Sequence, residues 1–565
     1  MLAAACAVAW SGAGLDHTRG QVDNLAPVLT TNWFLGSSLA AYTYAPATDT
    51  MYVTAYGNPA VVRVTGVTPP ASQSATPTVY ESTLQLYYRN GDPNRGVTSP
   101  VQGGILLNPQ PIGAAPSYSL AVIADGGNTR YPATSTVDPS ATKKFYTYNL
   151  GVAAIPGDGT DVFTTRATLA DLQAVAGTAS TSNSLARQFA WSGDGQSIYF
   201  VDTSGNYGGL WKLGAVAGAP QRILAADIEN TEPAVRPTGG VDQIFISGGP
   251  GNVGGIDFVT HDGSTTSSRQ VAVATSKLLE FFEVSGTMPS QRMQSLATVG
   301  DDLYYVSYTN ASGTKPESRY PGVYRYDAQG RLSKVVNRTQ RASALGSVNL
   351  VLDRLQSRTI PVTTGSSGTF AATQLLYREG GIGTVAGATA FKPVDFNRDD
   401  QVTAADLALF VPQVTIRGQI KATGTSGTIA DLKFDMNGND TVDWKDVQIV
   451  ESFLDYAPDP TLAGRIVPAL PIQADADLNG VVDFNDFLTM RGTYGSTSQP
   501  FTQGDYNGDN EVSFPDLQPW INSYGFRSGV VGGGVPMAAF DQAAWSSFLA
   551  GVVPPAVTRD VAAGR

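Results

Sequence analysis

"FAWSGDGQSIYFVDTSGNYGGLWKL", residues 189–213, decides how most of the chain is read. A tight Gly-Asp-Gly turn leads into an alternating aromatic and β-branched strand. A second turn rich in Gly and Asn follows, and then another strand. Aromatic and β-branched residues fit a pleated, half-buried surface, whereas Asp and Gly clusters punctuate it. The same order recurs in "YTYAPATDTMYVTAYGNPAVVRV" (42–64), "VRPTGGVDQIFISGGPGNVGGIDFV" (235–259) and "LATVGDDLYYVSY" with "GVYRYDAQGRLSKV" (296–335). Looser copies are "YSLAVIADGG" with "KKFYTYNL" (118–150) and "VNLVLDRLQSRTIPVTT" with "TQLLYREGG" (348–381). Period-2 alternation in each copy places one strand face in a core.

Units of this size, each a small antiparallel sheet, predict the blades of a β-propeller over residues 25–390. Six stretches imply six or seven blades, because the segment 65–118 has room for one more. A pair of β-sandwiches is the competing architecture. The turn Trp191-Ser192-Gly193-Asp194-Gly195 resembles the "WSPDG" turn of WD-repeat and TolB-type propellers, with Gly193 in place of the family's Pro. That resemblance implies a structural role for Asp194.

The chain has 565 residues, enough for several cores. Its formal charge of −12 is distributed unevenly: from Phe391 onward there are 22 acidic and 11 basic residues, while residues 1–390 are nearly neutral. An acidic final third argues against nucleic acid and for cations as partners. The single cysteine, Cys6, excludes an intramolecular disulfide and a Cys-based zinc site. With two histidines, His17 and His261, a multi-histidine transition-metal centre is excluded as well. The N-terminal "MLAAACAVAWSGAG" reads as a secretory leader lacking its basic region, assigned to residues 1–20. No later stretch reaches the roughly 18 apolar residues that span a bilayer. The expectation is a protein secreted by, or displayed on the surface of, a bacterial cell.

After residue 390 the texture changes. Four acidic loops appear: D395-F-N-R-D-D-Q-V-T-A-A-D406, D435-M-N-G-N-D-T-V-D-W-K-D446, D475-A-D-L-N-G-V-V-D-F-N-D486 and D505-Y-N-G-D-N-E-V-S-F-P-D516. Each carries an oxygen-bearing side chain at positions 1, 3, 5, 9 and 12, and Val at position 8. This is the spacing of an EF-hand-type calcium loop. Calcium takes six to eight oxygens at about 2.3–2.6 Å, and a loop curling around the ion aims positions 1, 3 and 5 inward. Position 12 closes the cage from the following helix, and Val at 8 is placed to pair with the Val of a partner loop. Short helices are expected after each loop, in "AADLALFVPQV", "WKDVQIVESFLDY", "FNDFLTMRGTYG" and "FPDLQPWINSYG".

Asp rather than Glu at position 12 gives D-x-N-x-[DN]-x-x-V-x-x-x-D-[LVF], which resembles the type I dockerin repeat. The resemblance implies paired loop–helix units, at 391–456 and 457–530, with a Gly-rich tail at 531–565. It implies up to four calcium ions, held by Asp395, Asn397, Asp399, Gln401 and Asp406; by Asp435, Asn437, Asn439, Thr441 and Asp446; by Asp475, Asp477, Asn479, Val481 and Asp486; and by Asp505, Asn507, Asp509, Glu511 and Asp516. The position-7 residues contribute carbonyl oxygens. It also implies a cohesin-like or other cell-surface protein as partner, read at positions 10 and 11. Those are Ala404-Ala405, Trp444-Lys445, Phe484-Asn485 and Phe514-Pro515, unlike the Ser-Thr pairs of cellulosomal dockerins. Calcium binding therefore carries over and cohesin specificity does not. The overall plan resembles exported dockerin-domain proteins of planctomycete type.

The functional expectation is a non-catalytic propeller that binds a glycan or protein, joined to a calcium module for attachment or assembly. The alternative is a carbohydrate-active enzyme, a glycoside hydrolase or lyase, on the propeller face. Its carboxylate pair would be Glu229 and Glu232, in "DIENTEP". The aromatic-rich "YESTLQLYYRNGDPNRG" (80–96) offers rings for stacking a polysaccharide.

Overall fold

The computed structural model describes most residues within 26–65, 80–85, 105–124, 144–149, 163–168, 189–308, 322–410, 433–453 and 474–524. The described residues fall into two compact units. One lies within 1–402 and 420–441, the other within 403–419 and 442–565.

Among the described residues, the first unit holds six four-stranded antiparallel sheets. After β1 (Ala26–Thr30), the first sheet runs β2 (Leu39–Ala45), β3 (Thr50–Ala55), β4 (Ala60–Thr65) and β5 (Tyr80–Gln85). The second holds β6 (Ile105–Ile112), β7 (Ser117–Ala124), β8 (Lys144–Asn149) and β9 (Phe163–Thr168). The third is β10 (Phe189–Trp191), β11 (Ser197–Asp202), β12 (Gly209–Gly214) and β13 (Gln221–Leu224). The fourth is β14 (Ala234–Thr238), β15 (Val241–Ser247), β16 (Ile256–His261) and β17 (Gln270–Val273), followed by helix α1 (Thr275–Phe282). The fifth is β18 (Arg292–Val299), β19 (Asp302–Tyr308), β20 (Gly322–Tyr326) and β21 (Leu332–Asn337). The sixth takes β22 (Val351–Thr364), β23 (Gly368–Gly380) and β24 (Thr384–Ala390) from the end of the segment. Its fourth strand is β1, paired antiparallel to β24 with Ala26 opposite Gly387 and Thr30 opposite Thr384.

The leading strands β2, β6, β10, β14, β18 and β22 each touch the next, and β22 touches β2. Six sheets set edge-first around such a ring form a propeller-like arrangement. Among the described residues between 65 and 118 lie β5 and β6, the last and first strands of neighbouring sheets.

Single-faced burial does not hold for the inner strands. Ile198, Tyr199, Phe200 and Val201 of β11 are all buried, as are Leu303, Tyr304, Tyr305 and Val306 of β19. The reason is packing on both faces. Tyr199, Val201 and Leu210 share one core with Ile244, Ile246 and Val259 of the next sheet. Tyr304, Val306, Val323 and Val336 share another with Leu375, Tyr377, Ala386 and Ala388. Helix α1 adds Phe281 and Phe282, both edge-on to Tyr324.

The 191–195 turn shows why Gly stands at 193. A Cβ there would run into Pro237 of the fourth sheet. The Gly193 N–H donates to Asp242 Oδ1 at 3.0 Å, while Tyr199 Oη donates to Asp242 Oδ2 at 2.8 Å. A proline would lack that donor. Asp194 is structural: its Oδ1 accepts from Ser192 Oγ and from the Gln196 N–H.

In the second unit, helices form at 405–410, α2 (Trp444–Ser452), α3 (Phe484–Thr493) and α4 (Phe514–Ser523), each after an acidic loop. Ala474, Ala476, Val482, Phe487, Met490, Tyr506, Val512, Leu517 and Trp520 form its core, so loops three and four bury their apolar positions together.

Candidate functional site

The third loop brings Asp475, Asp477 and Asp486 close enough that one oxygen from each lies within 4.8 Å of the others. Asp483 caps α3 by accepting from the Asn485 N–H at 2.7 Å, and this orients the first turn. Asp486 is then held from three sides. Its Oδ2 accepts from the Asp483 N–H at 2.7 Å, and its Oδ1 from the Ala476 N–H at 2.7 Å and the Asp477 N–H at 3.4 Å. Burial pushes the Asp486 carboxyl above its ordinary value, and these N–H donors oppose that shift.

The fourth loop repeats the pattern thirty residues on. Asp516 Oδ1 accepts from the Tyr506 and Asn507 N–H groups at 2.7 and 3.0 Å, and its Oδ2 from Ser513 N–H at 2.8 Å. In the first loop, Asp406 Oδ2 accepts from the Thr403 N–H at 2.8 Å. Asp406, Asp446, Asp486 and Asp516 are each 0% exposed. Four fully buried carboxylates at one loop position are tolerable only with dense hydrogen bonding or a cation.

The loops are tied together by groups the spacing did not single out. Tyr506 Oη donates to the Asp486 carbonyl at 2.7 Å, and Trp520 Nε1 to the Asp483 carbonyl at 2.9 Å. The Val–Val pairing takes another form. Val512 N–H donates to Ser496 O and Val512 O accepts from Gly495 N–H, because Gly495, at φ +81°, turns the chain back after α3. The side chains of Val482 and Val512 still meet in the shared core.

In the first unit, Asp395 is buried and accepts from the Asp399 N–H at 3.0 Å; Asn397 is exposed, and the Gln401 N–H donates to Asp399. Asp435 and Asn437 are both 0% exposed, and Asp435 Oδ1 accepts from the Gly438 N–H at 2.7 Å. Asp505 is buried and Glu511 exposed, its backbone bridged to Thr497. Asn439, Thr441, Asn479, Val481 and Asp509 lie outside the described residues. Hard carboxylate and amide oxygens with no thiol or imidazole among them fit Ca²⁺. The position-10 rings of Phe484 and Phe514 stand 43% and 67% exposed.

A second cluster sits where the leading strands meet. Glu232, just ahead of β14, is buried; its Oε1 lies 2.6 Å from Arg354 Nη1, and its Oε2 accepts from Ser295 Oγ of β18. Ser295 Oγ also accepts from the Leu355 N–H at 2.7 Å. Arg354 occupies a bulge in β22 with φ +60°, a backbone state unusual for a long side chain. Its carbonyl accepts from Tyr42 Oη at 2.5 Å. Beside it, Arg378 clamps Asp353 through two nitrogens, Nε lying 2.6 Å from Oδ1. The Gln356 amide spans β22 and β2, donating to Tyr42 O at 2.8 Å and accepting from Tyr44 N–H at 3.0 Å. Burial pushes the Glu232 carboxyl up against the opposing pull of Arg354. Glu229 lies outside the described residues. The signal that could have found this cluster is "LDRL", a charged pair inside an apolar strand.

Strand order thus defines a propeller-like β protein, and its acidic loops lead into short helices of dockerin-like spacing. Comparison with known families agrees: residues 393–455 match the Dockerin type I domain. Such domains bind calcium and serve assembly or attachment. No curated protein matches the chain. Among solved structures, a protein assigned as TolB from Agrobacterium tumefaciens shares 12% identity, covering 54% of this chain and 82% of its own, with TM-score 0.30. The Cps50 (Swd1) β-propeller domain of Myceliophteria thermophila gives 9%, 62%, 83% and 0.31 in the same order. Sqt1 of Saccharomyces cerevisiae gives 11%, 63%, 96% and 0.27. At these scores the likeness carries no weight, and the fold rests on strand order and register. Among the described residues, no helix is long and apolar enough to cross a membrane.

Proposed function

We propose that the chain is an exported calcium-binding protein in which a six-bladed, non-catalytic propeller presents a surface for a glycan or protein ligand. Dockerin-like repeats serve its attachment or assembly. Each four-stranded sheet is one blade, and β1 closes the sixth. The observation that carries the reading is the convergence of Asp475, Asp477 and Asp486 in a loop whose spacing recurs four times. Calcium at each loop would neutralise carboxylates that otherwise repel, so metal binding and folding of the module are coupled. The exposed Phe484 and Phe514 support a partner that reads apolar rings at position 10, in place of the polar pair a cellulosomal cohesin reads. The apolar leader supports secretion or surface display.

The alternative, a carbohydrate-active enzyme built on Glu229 and Glu232, requires Glu232 to act as an acid. Its carboxylate is held by Arg354 and Ser295, which supports a positioning role in the ring.

Titrating chelator-treated full-length protein with calcium tests the proposal. The transition of the helical module should rise by several degrees at millimolar calcium, as ligand binding to the folded state alone requires. Asp475→Ala with Asp486→Ala should lose one ion by native mass spectrometry. An unchanged melting curve and no bound calcium would overturn the assignment.

A further inference from the structure

The first half of the second acidic loop belongs to the same compact unit as the six sheets. It lies along β21, the outer strand of the fifth sheet. The Lys334 N–H of that strand donates to the Met436 carbonyl at 3.0 Å, so the loop covers part of an otherwise open sheet edge. Gly438 completes the seat. Its φ is +77°, and a Cβ there would stand 2.8 Å from Tyr324 Oη and 3.3 Å from Lys334 Cδ. The Lys334 ammonium then comes to 4.0 Å from Asp435 Oδ2, with the two side chains 3% and 0% exposed. Asp435 is position 1 of the loop, the carboxylate expected to meet the metal first.

We propose that Lys334 sets the calcium affinity of the second loop, acting as a resident cation at Asp435 that the metal must work against. The inference rests on the calcium reading above and adds a residue to it that no loop spacing contains. Calcium bound at Asp435 brings two positive charges within several ångströms of a buried ammonium, where neither water nor salt screens the repulsion well. Two outcomes are open to the lysine. It can remain, and weaken the ion, or it can swing away. Space for the second exists: Lys334 borders a cleft of about 80 Å³ that it shares with Ser333, Asp395, Arg398 and Lys433. Both outcomes make the second loop weaker than a loop without a facing lysine, and both link its occupancy to the edge of the fifth sheet.

Calcium titration calorimetry on full-length protein, with native mass spectrometry to count ions, tests this. Lys334→Met keeps the apolar stem and removes the charge; it should tighten one binding step on the order of 10-fold and leave the others unchanged. Lys334→Arg keeps the charge and should stay within about 3-fold of the parent. In an Asp435→Asn background, which removes the carboxylate that Lys334 faces, Lys334→Met should have no effect on the remaining steps. If the parent binds calcium and Lys334→Met binds it with unchanged or weaker affinity, the role of Lys334 is overturned while the calcium reading stands. If the parent binds no calcium, the calcium reading itself fails. Near-ultraviolet circular dichroism of each variant in chelator separates a local effect from a lost fold: a Lys334→Met protein without the parent's signal that also fails to bind shows the residue to be a structural prop, which overturns the proposal too.

Discussion

Arg354 holds a left-handed backbone state in the middle of a strand and sets its guanidinium against the buried Glu232 carboxylate. Strain of this kind persists only where the surroundings over-determine it. Here they do: Tyr42 holds its carbonyl, and Ser295 fixes both the Leu355 N–H beside it and the Glu232 carboxylate opposite. Removing the cation leaves a buried charge, and that penalty exceeds the worth of the pair itself. Arg354→Met should therefore cost about 3–5 kcal/mol in denaturant unfolding. Adding Glu232→Gln should recover part of the loss, because the orphaned charge is gone. A double variant as unstable as the sum of two singles would show that the two side chains act independently.

At the scale of elements, the β15–β16 hairpin carries His261 in a defined protonation state. Lys212 Nζ lies 3.1 Å from Nε2, and Thr266 Oγ1 lies 3.0 Å from Nδ1. An ammonium can only donate, so Nε2 accepts and Nδ1 carries the proton. Burial first, and Lys212 second, lower the His261 pKa from its ordinary 6.5, with Asp262 and Asp242 opposing. A depressed folded value means that the unfolded chain takes up its proton first. The contribution to stability is thus present above about pH 6.5 and is lost as pH falls through the lower folded value. In ¹⁵N-resolved NMR titration His261 should remain the Nδ1–H tautomer to below pH 6.5, and Lys212→Met should move its midpoint upward. A midpoint at or above 6.5 in the parent would contradict the geometry. What was legible at this scale divides by range. The acidic loops could be recognised because their oxygen-bearing positions and helix caps lie within twelve residues. The Glu232–Arg354 pair spans 122 positions, and the Gln356–Tyr42 amide contact 314, so no local pattern announced either. Alternation predicted strands correctly at 197–202 but one buried face, since it does not show that a second sheet covers the other.

The whole ring depends on a contact between its two ends. Sheets one to five draw all four strands from consecutive sequence; the sixth borrows β1 from before the first. The Gln356 amide, joining the backbone of β2 to β22, fastens the same seam from the inner side. Both fastenings have large sequence separation, so they form late and contribute closure rather than nucleation. Deleting residues 1–30 would strip β24 of its partner over Ala26–Thr30 and leave a bare strand edge. The melting temperature of the sheet unit should then fall by roughly 3–6 °C, the range that a few kcal/mol implies for a unit of this size. Size-exclusion chromatography should show edge-driven association. The calcium response of the helical module, whose core is its own, should survive the deletion. A truncated chain that melts and elutes like the parent would mean that the sixth sheet stands on three strands and that β1 only decorates it. A chain that loses the calcium response as well would mean that the acidic loops draw their stability from the closed ring, extending to the whole module the linkage proposed for Lys334.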